Sequence, residues 1–298
     1  MKKCLAIVLG GGGARGAMQV GALRALFEAG LKPDLLVGTS IGAVNAAGLA
    51  LWGTNLAGVE ALEGAYQVME ESGLMDLRLL QFAWSAIAGQ PNHRGSQGAR
   101  ELLISQGITP GFRFGQIKNV RLAVVAADLH TGEPIIYGLD PEHSVLEGVM
   151  ASFALPLWFA PVERDGHWIV DGGTLSNLPI ETALALGATE IIALDLKEIR
   201  ELFASGSGQY IEKFISAISH RELSLEMELA KARHVPVRYV NLRSSATPQI
   251  WDFSTHRELF KIGYETMKEE MSRWPQQRHS LMAFPHWFTK KRPSRISA

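Results

Sequence analysis

One stretch of the chain has the residue types of a serine nucleophile: residues 38–42 read GTSIG, a G-x-S-x-G pentapeptide centred on Ser40. A short apolar run, residues 35–37, precedes it, and a stretch rich in Ala and Gly follows. This order is typical of a nucleophile elbow, in which a sharp strand-to-helix turn exposes the serine hydroxyl. The N-terminus of the following helix would also stabilise negative charge that develops beside the hydroxyl. Because the pentapeptide is short, a simple Gly-rich turn stays open as the alternative.

A second candidate for chemistry is the glycine-rich segment at residues 10–16, which reads GGGGARG. It satisfies G-x-G-x-x-G between a predicted strand and a predicted helix, as dinucleotide-binding loops do. Such loops also need an acidic residue at the end of the second strand, whereas Asp34 precedes that strand, so cofactor binding is disfavoured. Consecutive glycines can instead direct backbone N–H groups at an oxyanion. Arg15 would add positive charge there or would fix the loop through a salt bridge.

A serine hydroxyl needs a base, and the histidines do not offer an evident one. Hydrolases of the common α/β type place the acid and then the histidine after the serine, but none of the nine histidines follows a late predicted strand. Asp171 is better placed, since it ends the run HWIVD and enters Gly172-Gly173. Strand carboxyl ends build the sites of parallel α/β sheets, and burial would raise the pKa of this carboxyl. The alternative is a turn aspartate that caps its own backbone.

These motifs resemble, in type and order, those of the patatin-like phospholipase family. The segments that carry the resemblance are GGGGARG at 10–16, GTSIG at 38–42, ADLHTG at 127–132, ASFALP with APV between 151 and 162, and DGG at 171–173. The ordered set is specific although each motif alone is weak, and it spans about residues 3–195. One departure is Leu157-Trp158, where the family often has a small residue, and this would narrow or reshape an acyl pocket.

The resemblance implies a site and an activity. Ser40 would be the nucleophile and Asp171 the proton acceptor of a catalytic dyad without histidine. The oxyanion hole would be formed by Gly11, Gly12, Gly13 and Arg15, and the further motif glycines are Gly16, Gly38, Gly42, Gly172 and Gly173. The implied reaction is hydrolysis of a lipid acyl ester through an acyl-enzyme, with no metal and no cofactor. Apolar residues between 153 and 159 would line an acyl channel or fill the core.

Two other functions stay open. One is a non-catalytic regulatory or scaffold protein that keeps the fold, which the intact Ser40 and Asp171 disfavour. The other is an acyltransferase that uses the same serine, although acyl-carrier transferases generally pair that serine with a histidine. The expected partner is a lipid or lipid-like ester; the net charge of −1 gives no field that would recruit nucleic acid.

The elements that would position these residues alternate between strand and helix. A strand at 4–9, a helix at 17–29, a strand at 35–37 and a helix at 41–51 predict a mostly parallel sheet with helices on both faces. The expected fold class is therefore α/β, in the three-layer α/β/α arrangement that the resemblance implies. Further predictions are an antiparallel hairpin at 120–127 and 134–137, strands at 167–170, 189–194 and 237–241, and helices at 143–152, 209–233 and 255–273.

A single domain is expected over residues 1–273, with a helical excursion at 55–107 that contains a mobile segment near 88–98. Residues 274–298 lack acidic side chains and carry basic and aromatic ones. This tail is interpreted either as a floppy or packed strap or as an interfacial anchor on anionic lipid. The one cysteine, Cys4, fits a reducing compartment, and no apolar run is long enough to span a bilayer. We therefore expect a cytoplasmic protein, with peripheral contact at the inner membrane face as an option.

Overall fold

The computed structural model describes residues 3–72, 93–156, 159–196, 207–244 and 252–274. Eight strands of this described part form one sheet. They are β1 (Leu5–Leu9), β2 (Leu35–Thr39), β3 (Arg121–Asp128), β4 (Glu133–Tyr137), β5 (Val162–Arg164), β6 (His167–Asp171), β7 (Glu190–Asp195) and β8 (Val237–Asn241). Their order is β5-β6-β3-β2-β1-β7-β8, and β4 pairs with β3 beside this path. The strands β3, β2, β1, β7 and β8 are parallel, while β4, β5 and β6 join through antiparallel ladders.

Helices cover both faces of the sheet. In the described part they are α1 (Gly16–Glu28), α2 (Ile41–Trp52), α3 (Leu56–Glu71), α4 (His93–Ser105), α5 (Val145–Ser152), α6 (Ile180–Ala185), α7 (Ser207–Ala232) and α8 (His256–Arg273). Successive side chains of a strand point to opposite faces, so Ile7 and Leu9 of β1 pack in one core with α1, α2, α3 and α8. Ala6 and Val8 pack in a second core with α6 and α7. The predicted three-layer α/β/α fold is confirmed.

The predicted elements outside the helical excursion are present, each within two residues of its expected bounds, and the predicted hairpin of β3 and β4 is antiparallel. The strand β5 and the short helix α6 were not predicted. The excursion contains α3 and α4, and its residues 73–92 lie outside the described part. Of the segment predicted to be mobile, residues 93–98 form the first turns of α4.

Trp274 follows directly after the last helix, α8, and it contacts the body of the protein. The guanidinium carbon of Arg238 lies 4.3 Å from the centre of its ring. The rest of the predicted tail, residues 275–298, lies outside the described residues. Within the part that the structure describes, no helix is both long and apolar enough to cross a bilayer.

The strand β3 brings the ends of β2 and β6 together. Val125 pairs with β4 on one edge and with Thr39 of β2 on the other. The next residue, Ala126, pairs with β4 and with Asp171 of β6. β2 and β6 therefore pair with the same edge of β3, and the pairing with β6 begins where the pairing with β2 ends. Because β2 runs parallel to β3 and β6 antiparallel, their carboxyl ends point at each other, which places Ser40 against Asp171.

Candidate active site

Ser40 lies on the turn between β2 and α2 with the strained backbone of a nucleophile elbow. Its φ is 56° and its ψ is −124°, a combination that few residues other than glycine adopt. The flanking glycines allow close backbone approach: a Cβ on Gly42 would lie 2.1 Å from the carbonyl oxygen of Leu9. A Cβ on Gly38 would lie 2.4 Å from the carbonyl oxygen of Gly42. The turn therefore fits tightly against β1, which fixes the position from which the Ser40 side chain projects.

A buried hydroxyl holds the backbone of this turn. The Ser40 N–H donates to Oγ of Ser152 at 2.9 Å, and that hydroxyl donates to the carbonyl oxygen of Val125 at 2.6 Å. Ser152 is the last residue of α5 and has no exposed surface. Its role was missed in the sequence, because the contact joins residues 112 positions apart.

Asp171 meets Ser40 as a buried carboxylate. Only 2% of its surface is exposed, it accepts a hydrogen bond from the Gly173 N–H at 2.7 Å, and it lies close enough to the Ser40 hydroxyl for that group to affect its pKa. Burial raises the pKa of this carboxyl to about 6, and the Ser40 hydroxyl and the Gly173 amide offset only part of that effect. The bond from Gly173 is the turn-capping contact that was the alternative for Asp171, and it leaves the carboxylate next to Ser40. No histidine in the described part of the chain is among its hydrogen-bond partners.

The glycine-rich loop passes beside Ser40: a Cβ on Gly11 would lie 3.1 Å from Cβ of Ser40. The Gly11 N–H donates to the carbonyl oxygen of Asn177 at 3.1 Å, so this amide is already engaged. Among the described residues, the amides of Gly12 and Gly13 have no such partner. They stand at the start of a short 3-10 helix, where the first N–H groups lack intrahelical acceptors. The donors available for the predicted oxyanion hole are therefore those of Gly12 and Gly13.

Arg15 and the remaining motif glycines shape the loop and the Asp171 turn. The Arg15 Nε donates to the carbonyl oxygen of Gly12 at 3.1 Å, which supports its role in fixing the loop, here through a carbonyl. A Cβ on Gly16 would lie 2.5 Å from a side chain of α2, and one on Gly172 would lie 2.3 Å from a carbonyl oxygen of β3. Gly173 supplies the amide that donates to the Asp171 carboxylate.

A fully buried polar network ties the same loop to α1, α2 and α3. The Gln19 amide donates to the carbonyl oxygen of Gly10 at 2.8 Å. The Asn45 amide donates to the carbonyl oxygen of Gly16 at 3.1 Å and to Oε1 of Gln19 at 3.0 Å, and the Tyr66 hydroxyl donates to Oδ1 of Asn45 at 3.2 Å. Satisfied buried networks of this kind rigidify their surroundings, so the loop is held in place before any substrate binds.

Asn177 is a further side chain at the site that the sequence did not reveal. Its Oδ1 lies 2.7 Å from where a Cβ on Gly11 would be, and 3.0 Å from the equivalent position on Gly173. Its backbone N–H donates to Oε1 of Glu222, on α7, at 2.8 Å. Asn177 therefore stands between the glycine-rich loop and the Asp171 turn, held from the opposite layer of helices.

A small apolar cavity of about 40 Å³ opens beside the elbow, and it is partly open to solvent. Its lining includes Ile41, Val44, Met69, Leu102, Phe153 and Phe253. Of the residues predicted to line an acyl channel, Phe153 faces this cavity. Phe159 packs against Phe153, with the centres of the two rings 4.7 Å apart. Residues 157–158 lie outside the described part. The cavity has the apolar character that an acyl chain requires.

The fold and the site define a class: an α/β/α domain that presents a serine on a strand-to-helix elbow beside a buried aspartate. The family described as "Patatin-like phospholipase" matches residues 7–184 of this chain, which belongs to that family. The matched segment contains the glycine-rich loop, Ser40 and Asp171, so the resemblance noted in the sequence is confirmed.

The chain also matches segments of much longer proteins. Lysophospholipase nte1 of Aspergillus terreus is 28% identical over 296 residues, which cover 91% of this chain and 18% of the relative. Patatin-like phospholipase domain-containing protein 6 of Homo sapiens is 32% identical over 200 residues, which cover 64% of this chain and 13% of the relative. The chain thus spans less than a fifth of the length of these curated relatives.

Solved structures with a similar arrangement are more distant. VipD from Legionella pneumophila is 16% identical with a TM-score of 0.44, covering 91% of this chain and 67% of that one. ExoU, in a heterodimeric complex with SpcU from Pseudomonas aeruginosa, is 17% identical with a TM-score of 0.45, covering 91% and 51%. The fold assignment rests on the strand order and the two helical layers of this chain.

Proposed function

We propose that this protein hydrolyses acyl esters of lipids through a Ser40–Asp171 dyad and an acyl-enzyme. The observation that carries the proposal is the placement of Ser40 against the buried Asp171 carboxylate, close enough for the serine hydroxyl to lower the pKa of that carboxyl. The amides of Gly12 and Gly13, which lack a partner among the described residues, lie in the loop beside it. Membership of the patatin-like phospholipase family supports the same chemistry.

Acylation begins when Oγ of Ser40 attacks the carbonyl carbon of the ester. As the new C–O bond forms, the hydroxyl proton passes to Asp171, whose pKa of about 6 makes it a stronger base than an ordinary aspartate. The carbonyl electron pair moves to oxygen, where the amides of Gly12 and Gly13 and the N-terminus of α2 stabilise the negative charge. The intermediate collapses, the alcohol leaves with the proton held by Asp171, and the acyl group stays on Ser40.

Deacylation repeats these steps with water. Asp171, ionised again, takes a proton from water as the water oxygen attacks the acyl carbonyl. The second oxyanion occupies the same position as the first. Its collapse breaks the bond to Oγ, the proton on Asp171 returns to Ser40, and the fatty acid is released. The dyad ends in its starting state.

The apolar cavity supports a lipid acyl chain as the substrate group. Ile41 and Val44, which line it, follow Ser40 by one and four residues along α2, so the cavity begins at the elbow. Each methylene that the site buries contributes about 0.8 kcal/mol to binding, so an acyl chain longer than acetyl is expected to bind more tightly. The names of relatives make lysophospholipids the natural first substrates to assay.

A membrane surface on the cytoplasmic side is the proposed place of action. The support is compositional: residues 275–298 contain basic and aromatic side chains and no acidic ones. Removal of 275–298 keeps the Trp274–Arg238 contact and is expected to weaken co-sedimentation with anionic vesicles, with little change for neutral ones. Unchanged binding to anionic vesicles would refute this part of the proposal.

Release of free fatty acid tests the reaction itself. Wild type, Ser40→Ala and a control, Ser105→Ala at an exposed serine of α4, are incubated with lysophosphatidylcholine in water, and products are followed by mass spectrometry. Wild type and the control are expected to release fatty acid, and Ser40→Ala is not. Transfer to an added alcohol with little hydrolysis would favour an acyltransferase. No turnover of either kind by folded wild type would favour a non-catalytic role.

A further inference from the structure

A cluster of one carboxylate and two imidazoles lies away from the catalytic dyad, where β3 ends and β6 begins. It consists of Asp128, His130 and His167, each of which offers one potential ligand atom, and these atoms all lie within 4.8 Å of one another. Asp128 is only 6% exposed, whereas the two histidine side chains are almost half exposed. The cluster therefore combines a fixed carboxylate with imidazoles that solvent and ions can reach.

The carboxylate of Asp128 contacts His167 directly and lies near His130, whose Nδ1 accepts a hydrogen bond from the Trp168 N–H at 3.2 Å. Its Oδ2 lies 2.7 Å from Nδ1 of His167, and its Oδ1 lies 3.9 Å from Nδ1 of His130. The two imidazole rings lie side by side, with centres 5.0 Å apart and planes inclined by 33°. The backbone N–H of His130 also donates to Oδ1 of Asp128 at 2.8 Å, which fixes the carboxylate.

Regular backbone pairing holds the three residues in place. Asp128 pairs with Ile169 in the β3–β6 ladder, and the Leu129 N–H donates to the carbonyl oxygen of Trp168 at 3.0 Å. The turn that follows is closed by the Gly132 N–H, which donates to the carbonyl oxygen of Asp128 at 2.9 Å. The ligand atoms thus project from a sheet edge and a closed hairpin, and sites on such elements are positioned better than sites on long loops.

We propose that Asp128, His130 and His167 bind a divalent transition-metal ion of the Zn²⁺ class. Two imidazoles and one carboxylate form a donor set that Zn²⁺ and its first-row neighbours favour, whereas Mg²⁺ and Ca²⁺ prefer oxygen alone. Metal–ligand bonds of about 2.1 Å place tetrahedral ligand atoms about 3.4 Å apart, so the histidines need to move by roughly an ångström. Water would occupy the remaining coordination position.

The ion would tie the end of β3 to the start of β6. His167 precedes Asp171 by four residues on β6, about 13 Å along an extended strand, so the ion does not reach the reacting atoms. Its expected effect is on the stability of the strand that carries Asp171. The proposal does not depend on acyl transfer, because the donor set and its geometry are separate from the dyad.

The experiment is a titration of the full chain, stripped with a chelator and dialysed, with ZnCl₂ followed by calorimetry and with CoCl₂ followed by visible absorption. One ion is expected per chain at this site, with Mg²⁺ giving no competing signal and Zn²⁺ raising Tm. His130→Gln and His167→Gln are each expected to weaken the affinity at least about tenfold. His220→Gln, at an exposed histidine of α7, is the matched control and is expected to bind as wild type does.

His130 is exposed, so its replacement keeps the test valid even if His167→Gln or Asp128→Asn perturbs the hairpin; circular dichroism checks that each variant is folded. Absence of Zn²⁺ binding would overturn the proposal. So would equal affinity in wild type, His130→Gln and His167→Gln, which would assign the bound ion to other histidines. In either case the cluster is a histidine–aspartate contact that closes the hairpin.

Discussion

Two aspartates lie on paired strands, Asp128 on β3 and Asp171 on β6, and their surroundings shift their pKa values in opposite directions. Burial raises the pKa of Asp171 to about 6, and its neighbours, a neutral hydroxyl and an amide, offset only part of that effect. The hydrogen bond from His167 lowers the pKa of Asp128 to about 2. Desolvation raises the pKa of both carboxyls, but only Asp128 has an imidazole that outweighs it.

This difference separates a base from a permanent anion. A carboxyl with a pKa near 6 can take and return a proton at neutral pH, which acyl transfer requires twice per turnover. A carboxyl with a pKa near 2 stays ionised through that range and serves as an ion-pair partner or a ligand. The two aspartates lie close together in the sheet, because Asp171 pairs with Ala126 of β3, only two residues before Asp128. The surroundings of each carboxyl therefore decide its pKa more than its location in the sheet does.

The largest expected effect is the loss of turnover in Asp171→Asn, by about 10⁴-fold or more, because the amide cannot accept the Ser40 proton. Asp128→Asn is the matched control and is expected to keep activity within a few fold. Fatty-acid release measured on folded proteins checks both. Similar losses in the two variants would break the distinction between the carboxyls, and near-wild-type activity in Asp171→Asn would refute the dyad.

The next effect concerns pH. We expect kcat/KM to rise tenfold per pH unit in acid and to level off above an apparent pKa of about 6, because only ionised Asp171 accepts the proton. Rates measured from pH 4.5 to 8 give this profile. Asp128→Asn is expected to leave the midpoint unchanged. An acid limb near pH 4, or a flat profile from pH 5 to 7, would show that Asp171 is not the titrating base.

A smaller loss is expected when the brace of the elbow is removed. Ser152→Ala leaves the Ser40 N–H without its acceptor, and we expect kcat to fall about tenfold to a hundredfold with little change in KM. Ser144→Ala is the matched control: this serine is also buried and caps the other end of α5. Both variants are expected to have a lower free energy of unfolding, but only Ser152→Ala is expected to show lower kcat and slower reaction with a fluorophosphonate. Equal kcat in the two would make Ser152 merely structural.

The last effect is on stability rather than on activity. The folded pKa of Asp171 exceeds its unfolded value of 3.8, so the ionised carboxylate destabilises the folded state above pH 6, and this cost vanishes as the pH falls below 4. Asp171→Asn is therefore expected to raise the free energy of unfolding at pH 8 by up to about 3 kcal/mol, with a smaller gain at pH 4.5. Urea denaturation at both pH values measures it. A lower free energy of unfolding for Asp171→Asn at pH 8 would contradict the claim that the buried, ionised Asp171 destabilises the folded state.

Local patterns were enough to predict the elbow and the glycine-rich loop. Ser40 stands between a five-residue strand and a helix, and Gly38 and Gly42 are needed by contacts within that short unit and with β1. The chain order of strands and helices likewise predicted the three layers, because alternating elements leave few ways to cover a parallel sheet.

Long-range pairing explains what the sequence did not reveal. The run HWIVD was predicted as a strand ending at Asp171, but its antiparallel direction depends on the register with β3. Ser152 and Asn177 act through contacts with distant residues, and no periodicity marks them. The engagement of the Gly11 amide by Asn177 is of the same kind. Such contacts are fixed only when the sheet is assembled.

Covalent labelling tests the central claim most directly. Wild type, Ser40→Ala, Asp171→Asn and Asp128→Asn are treated with a fluorophosphonate at pH 7.5, and the adduct is located by peptide mass spectrometry. The account predicts an adduct on Ser40 in wild type and in Asp128→Asn, strongly slowed labelling in Asp171→Asn, and none in Ser40→Ala. No adduct on Ser40 of folded wild type, or labelling of Asp171→Asn at the wild-type rate, would contradict it.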